Sequence, residues 1–488
     1  MIPSIIARPP GLLASAADGL LLSPTTGAWL LGLFSLLWIA LGLHWGRRAR
    51  SLDGFMVAGR NVGLALGTAT AMATWVTSNT TMLAPQLALE LGVWGMLAYS
   101  TASLGLLLFA PLARRIRAVM PHGYTSAEFI ELRYGRAAWA IFLVLSLFYA
   151  LTWLISMGMA GGLLIEALTG IEYRWGMTVV LGVCVAYTVS GGLYAVIGTD
   201  FLQSLIVLVG LVVVGGLVLW EVSVAEVHAS LVERRPMLLD LLYPAALMAL
   251  FNNLLFGLGE VFHSNVWWSR AFAMRPGVGA KAYTLAGLLW WPVPVVAGFL
   301  GLAAPALDIG ISRPDMVAPV LAGTLLGELG AVLVFVVVFA SIASSIDSLL
   351  AATSDLLTKE LVARRMPGAS EARLRAVAAW TVLGTGVLAW VACLPKVGTL
   401  ATVLFFAGPM VASMIWPVVA GLYWRRATAA GAVGGMVAGT AVGLWVYVAI
   451  GWYAASLAGA LVSAVVVIAT TLRSRERFDF ARLAEGRS

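Results

Sequence analysis

Apolar residues run through this chain in blocks of about twenty, the length a helix needs to cross a bilayer, and polar residues gather between the blocks. Such blocks occur at 27–45, 63–82, 92–113, 137–169, 175–190, 200–221, 240–266, 280–304, 328–358, 374–394, 397–423, 428–450 and 452–472, thirteen in all. A helix satisfies its own backbone groups in lipid, so the pattern predicts an all-α polytopic membrane protein with about thirteen transmembrane helices.

Two of these spans are interrupted. In the second, Thr70, Thr74, Thr77, Ser78 and Thr81 form a polar stripe, and Ser78-Asn79-Thr80-Thr81 leads to Pro85. In the seventh, Asn252-Asn253 is followed by Gly257, Gly259, Glu260, His263, Ser264 and Asn265. The two spans lie five apart and each opens a block of five. Paired interruptions of this kind point to a transporter site between inverted repeats. The chain then divides into 1–62 (an extracellular N-terminus, first helix and cytoplasmic loop), 63–221 (first repeat), 222–239 (an extracellular amphipathic segment), 240–424 (second repeat) and 425–488 (two terminal helices and a cytoplasmic tail).

The ninth span carries a third anomaly. Ser341, Ser344, Ser345 and Ser348 fall at i, i+3, i+4 and i+7, one helix face. Asp347 lies about 60° from that stripe. A carboxylate at membrane depth costs roughly 2.5–3.5 kcal/mol on insertion scales, so it faces a pathway or a partner. Hydroxyl and carbonyl oxygens on one face suit a small hard cation stripped of water.

Composition agrees with the pattern. The chain of 488 residues is 61% hydrophobic and 11% charged, against about a quarter charged in soluble domains. The net charge of +7 does not indicate nucleic acid, because the charges sit in short loops between apolar runs. If thirteen spans alternate, 24 of the 30 lysines and arginines fall on one side, from Arg47 through Arg114, Arg270, Lys359 and Arg425 to Arg487. The other side keeps Arg8, Arg174, Arg234, Arg235, Arg313 and Lys396. The positive-inside rule then predicts a multi-pass protein of the cell membrane with its N-terminus outside and C-terminus in the cytoplasm. Met1–Ser23 lacks the order of a cleaved signal peptide. Cys184 and Cys393 lie in or beside apolar helices and form no disulfide framework. No HExxH, Walker A or G-x-S-x-G sequence is present, so no enzyme activity is expected.

Several motifs together are similar to those of the sodium:solute symporter family. Gly191-Gly192-Leu193-Tyr194-Ala195-Val196-Ile197-Gly198-Thr199-Asp200-Phe201-Leu202-Gln203 resembles its Gly-Gly…Ala-Val…Thr-Asp…Gln signature. Ser126–Gly135 resembles its "EF…RYG" element, Phe55–Arg60 its "AGR" loop, and Ala343-Ser344-Ser345 with Thr358–Leu361 its eighth core helix. Gly259–Phe262, Trp267–Ala271 and Thr74–Thr77 ahead of Leu91-Gly92-Val93 resemble the urea/polyamine active transporters of plants and fungi. The resemblance implies a LeuT-type 5+5 inverted-repeat core with one helix before it and two after.

By that resemblance a sodium ion, the coupling ion, is held by Ser344 and Ser345 side chains and by carbonyls of Ser341, Ala73 and Val76. The alternative for the serines is close helix packing, which small residues permit. Asp200, Asp347 and Ser348 form a candidate second cation or proton site. Against it, Asp200 could cap the helix after a Gly191–Thr199 loop, and Asp347 could hydrogen-bond a neighbouring helix. Substrate contacts are expected from Trp75, Asn79, Gln86, Glu260, His263, Asn265, Trp267 and Phe406. Amide and imidazole groups there would bond a small polar solute, and the rings would exclude water. Most of the 19 tryptophans are discounted as interfacial or lipid-facing. No lysine or arginine is expected within the core spans, and Arg270 is read as the end of its helix.

The sequence therefore predicts a sodium:solute symporter that imports a small polar neutral or cationic solute, urea-like among others, by alternating access, with the solute and membrane lipid as partners. The oligomeric state is left open. Rivals are a proton-coupled symporter, a solute sensor without transport, and a channel; the last is disfavoured because the polar positions cluster at two helix breaks.

Overall fold

The computed structural model describes residues 21–486, so the expected extracellular segment 1–20 and Arg487 lie outside the described residues. Among the described residues the regular secondary structure is helical apart from one isolated bridge, Val62 to Met274. Helix α1 (Pro24–Gly46) is followed by a short α2 (Leu52–Val57). The first half of the core comprises α3 (Leu64–Trp75), α4 (Ala84–Ser100), α5 (Ser103–Val119), α6 (Ser126–Tyr134), α7 (Arg136–Thr169) and α8 (Tyr173–Glu221). A surface helix α9 (Val224–Arg234) opens on a reciprocal Ser223–Glu226 capping box. The second half holds α10 (Pro244–His263), α11 (Asn265–Ala273), α12 (Val278–Trp290), α13 (Pro292–Ala306), α14 (Val317–Leu356), α15 (Ala363–Arg365), α16 (Glu371–Cys393), α17 (Leu400–Phe406), α18 (Gly408–Ser413) and α19 (Ile415–Tyr423). Helices α20 (Ala429–Ala449) and α21 (Trp452–Arg473) close the bundle.

Eleven continuous stretches are long and apolar enough to cross a membrane among the described residues. Three of them, Asn79–Val119, Tyr173–Glu221 and Pro314–Arg365, turn sharply at Gly92, Gly192 and Gly327, and the count of about thirteen spans read from the sequence is approximate. Gly92 (φ 69°, ψ −145°), Gly192 (φ 51°, ψ −139°) and Gly327 (φ 62°, ψ −147°) share one corner conformation that residues with a Cβ avoid. At Gly92 a Cβ would lie 1.9 Å from the Leu238 carbonyl oxygen, and at Gly192 it would lie 2.4 Å from that of Phe55. The corners at Gly92 and Gly192 therefore let chain segments touch where any side chain would hold them apart.

The corner at Gly192 corrects one expectation. Residues Gly191–Thr199 are not a loop, because one glycine turns the chain and the helix resumes at once. Asp200 consequently lies about two turns inside the second half of α8 and does not cap it.

At the arginine-rich end, the motif Ser126–Gly135 becomes α6. Arg133 donates to the carbonyls of Gly421, Trp424 and Ala427, closing the C-terminus of α19. Glu131 pairs with Arg364 of α15, which also reaches Glu360 at 2.8 Å. Glu360 in turn accepts from Thr125 (2.5 Å) and Trp139 (2.9 Å). In the neighbouring loop Tyr124 donates to Asp53; burial, and then the adjacent carboxylate, pushes its phenol up to about 12.

Gly192→Ala should lower thermal stability in detergent by about 2 kcal/mol or more, since it adds both strain and a backbone clash. Gly182→Ala, inside a helix with open space around the new methyl, should be neutral or stabilising by up to about 1 kcal/mol. Equal shifts for the two variants would remove the role assigned to the corner.

Candidate functional site

Helix α3 stops at Trp75, and the backbone turns away at Val76 (φ −81°, ψ 88°). The carbonyls of Ala73, Thr74 and Trp75 thus lose their helical partners, as happens at any helix C-terminus. Each finds a side chain. Ser344 donates to the Ala73 carbonyl at 2.8 Å and Ser345 to that of Thr74 at 3.3 Å, while the Trp75 carbonyl accepts from Trp290 Nε1 (2.7 Å) and Thr80 (3.0 Å). Ser344 and Ser345 also point at the Ser341 carbonyl, at 3.2 and 2.9 Å. A buried cluster of neutral oxygens therefore joins the broken helix to α14, drawn from Ala73, Thr74, Ser341, Ser344 and Ser345. A monovalent cation entering it would use the hydroxyl lone pairs and turn the hydroxyl hydrogens outward. Val76 marks the break itself, and the Thr74 carbonyl is a further oxygen facing the serines.

The second cluster differs from the expectation. After the break at Ser264 (φ −68°, ψ 131°) the chain does not leave the core. It continues as α11 and carries Arg270, fully buried, into the bundle. The guanidinium donates through Nε to Thr70 (2.9 Å) and through Nη1 to the Val266 carbonyl (3.0 Å). Its Nη2 contacts Ser348 at 2.6 Å, Thr74 at 2.7 Å and Asp200 Oδ2 at 3.3 Å. Thr70 also donates to Asp200 Oδ2, at 2.6 Å. Arginine is therefore present within a core span, contrary to the sequence expectation. The cause is that the seventh span extends past its break to Ala273, whereas the apolar pattern ended it at 266. Asp347 is not among the hydrogen-bond partners of Arg270: it accepts from Tyr187 at 2.6 Å and Thr199 at 3.4 Å, a bond to a neighbouring helix.

A third group fills the space between the two breaks. The Trp75 ring sits 5.1 Å from Trp267, 5.8 Å from Trp290 and 6.3 Å from Trp153. Tyr149 links Trp153 (5.5 Å) to His263 (5.0 Å). Glu260 accepts from Trp267 Nε1 at 3.1 Å and has Tyr149 beside it. Within this box the Nε1 atoms of Trp75 and Trp153 and His263 Nε2 are buried without hydrogen-bond partners, while the Tyr149 hydroxyl faces the Glu260 carboxylate. Buried polar atoms are normally paired, so three without partners in one aromatic box single it out as a candidate site.

Of the expected substrate residues, Trp75, Glu260, His263 and Trp267 come together there. Asn79 borders the group through Ser156 on α7 (3.2 Å), with its Nδ2 unpaired. Gln86 instead donates to Glu90 at 2.9 Å. Asn265 bridges the Ser126 amide (3.1 Å) and the Ala352 carbonyl (3.3 Å), acting as a pin between α6, α11 and α14. Phe406 is 38% exposed and packs on Phe148 and Tyr447, away from the box. Sequence reasoning missed Tyr149, Trp153, Tyr187 and Arg270. Arg270 did carry a signal, as the lone charge in the run Asn265–Met274, which is otherwise mostly apolar.

The family model described as the sodium:solute symporter family matches residues 55–439. Among curated proteins, the urea-proton symporter DUR3 of Oryza sativa subsp. japonica is 30% identical over 437 residues, covering 81% of this chain and 60% of the relative. The urea active transporter of Saccharomyces cerevisiae is 25% identical over 341 residues, covering 63% and 46%. This chain thus spans less than two thirds of the length of either. Among solved structures, a Na+-coupled sialic acid symporter in a substrate-bound, outward-open state superposes with a TM-score of 0.76 at 15% identity, covering 92% of this chain and 98% of that one. At that identity the likeness establishes the fold: a LeuT-type core. These relatives are membrane transporters, not enzymes.

Tyr187→Phe removes the hydroxyl that the buried Asp347 carboxylate accepts from. It should cost about 1–3 kcal/mol of stability, read as a lowered unfolding temperature in detergent. Adding Asp347→Asn, which removes the charge left exposed to that loss, should recover part of the cost. Strictly additive losses would argue against the pair.

Proposed function

This chain belongs to the sodium:solute symporter family, and we propose that it is a sodium-coupled symporter importing a small polar solute of the urea type by alternating access. The observation that carries this reading is the oxygen cluster at the first helix break. Its oxygens are neutral, come from two separate helices, and include carbonyls already freed from helical bonding. Sodium bound between Ala73, Thr74, Ser341, Ser344 and Ser345 would hold the broken span against α14. That in turn fixes Trp75, one residue further on, as a wall of the aromatic box.

The box supports the solute assignment. Urea is planar, with N–H donors on two sides and one carbonyl acceptor. The Glu260 carboxylate, which faces Tyr149, is an acceptor for such N–H groups, and the indole N–H groups of Trp75 and Trp153 are donors for a carbonyl. The flat rings suit a planar guest. With Glu260 the only carboxylate among the box residues, a neutral or cationic solute fits and an anionic one does not. The names of the rice and yeast relatives support the same class.

The arginine-rich loops support an orientation with α6 and α15 in the cytoplasm, in the cell membrane. Inward sodium movement at ~100 mV would contribute about 2.3 kcal/mol per charge, sufficient for roughly fifty-fold accumulation of solute. A second reading is favoured by one observation: Glu260 is a buried carboxylate in the box itself, and the rice relative is named a urea-proton symporter. In that reading Glu260 carries the coupling proton.

Proteoliposomes loaded with imposed sodium or pH gradients, one at a time, should take up urea on the sodium gradient. Ser345→Ala should raise the sodium needed for half-maximal uptake about tenfold, the value of roughly 1.4 kcal/mol for a lost ligand. Glu260→Gln should weaken solute binding and leave the sodium requirement in place. Uptake that follows the pH gradient alone and loses that dependence in Glu260→Gln would replace sodium by the proton. Urea uptake driven by neither gradient would defeat coupled transport of urea.

A further inference from the structure

A guanidinium with no exposed surface is costly in a membrane core unless its charge and its N–H groups are answered. Arg270 is answered in an unusual way. Around Nη2 stand the hydroxyl oxygens of Thr74 and Ser348 and the carboxylate oxygen Oδ2 of Asp200, with Thr70 joining Nε to the same carboxylate oxygen. Hydroxyl oxygens around one carboxylate, drawn from α3, α8 and α14, are a donor set for a monovalent cation. The arginine reaches them from α11, beyond the second helix break.

This set also touches the serine cluster directly. Thr74 offers its hydroxyl to Arg270 and its carbonyl to Ser345, and Ser348 donates to the Ser344 carbonyl at 2.7 Å. Two neighbouring cation positions are thus framed by the same pair of helices, one of them taken by a side chain of the protein.

We infer that Arg270 is a tethered cation that permanently fills a second ion position, at Thr70, Thr74, Asp200 and Ser348, so that the protein couples transport to a single mobile ion. The inference rests on the proposed reading that the Ser344–Ser345 cluster takes sodium. Its consequence is a specificity rule: the residue at 270 sets how many cations accompany each solute. Truncating Arg270 leaves Asp200 unpaired inside an oxygen cage and opens the cage to a sodium ion.

The test uses the purified full chain. Apparent unfolding temperature is followed against sodium concentration at fixed ionic strength, and the slope of stability against the logarithm of sodium counts the ions bound. The wild type should give a one-ion slope. Arg270→Ala should be less stable without sodium and should gain a second-ion slope. Arg270→Ala with Asp200→Asn, which removes the anion as well, should return to one. A structural tie alone would lower stability in Arg270→Ala while leaving the slope unchanged, and that result overturns the inference. Should Arg270→Ala not fold, the wild type decides: a two-ion slope, or two sodium ions per solute in a flux ratio, overturns it, and one of each upholds it. Failure of the underlying reading looks different, since a wild type indifferent to sodium would dismiss the serine site. Arg270→Ala acquiring a sodium response in that case would still support the tethered cation.

Discussion

A membrane helix cannot end in lipid without leaving its last carbonyls unpaired, and this structure is organised around one such ending. The break after Trp75 frees the carbonyls of Ala73, Thr74 and Trp75. Water would satisfy them at a surface. Here Ser344, Ser345, Trp290 and Thr80 do so instead. Those four partners fix α14, α12 and the continuation of the broken span against it. Further along, the Thr77 and Asn79 amides turn to the Thr80 and Thr77 hydroxyls. The hydroxyl-rich sequence of the second span is the solvent for its own interruption. The second break is served in the same way on a smaller scale, with the Phe262 carbonyl accepting from Trp268 at 2.7 Å.

Much of this was legible in the chain. Hydrophobic blocks gave the spans because length and apolarity are what lipid selects, and the ninth block at 328–358 begins just after the corner at Gly327. The two breaks were visible as hydroxyl and amide clusters in apolar surroundings. The serine spacing at 341, 344 and 345 correctly placed those residues on one face, and the face does meet Ala73.

What was not legible has a common cause. A hydropathy pattern locates a helix but says nothing of where the chain goes after an interruption. It therefore ended the seventh span at 266 and put Arg270 at the end of its helix, outside the core, whereas α11 runs on to Ala273 and buries it. Likewise, a glycine pair reads as a loop of any length, which left a helix cap as the alternative for Asp200, whereas the residue lies deep in α8. The box shows a related limit. Tyr149 and Trp153 lie on α7, an unbroken helix whose sequence carries no polarity anomaly. Aromatic residues are ordinary in membrane helices, and only the approach of Glu260 from α10 gives these two a shared purpose. Phe406 fails for the converse reason, since its neighbour Phe405 takes the inward face of α17 and packs on Phe256 at 5.3 Å.

The position of Thr74 gives the arrangement its mechanical sense. Its carbonyl belongs to the serine cluster and its hydroxyl to the Arg270 cluster, so a single residue at the end of α3 is held at once by α14 and α11. Hydrogen bonds weaken steeply with distance and angle, so tilting α3 against α14 cannot relax one cluster while keeping the other. The next residue, Trp75, packs its ring on Trp267 of α11. Movement of the first broken helix is thereby tied to the second through side chains on both sides of one peptide bond. Serine cluster, buried charge and aromatic box meet within two consecutive residues, and a rigid-body shift of the pair must be felt by all three together.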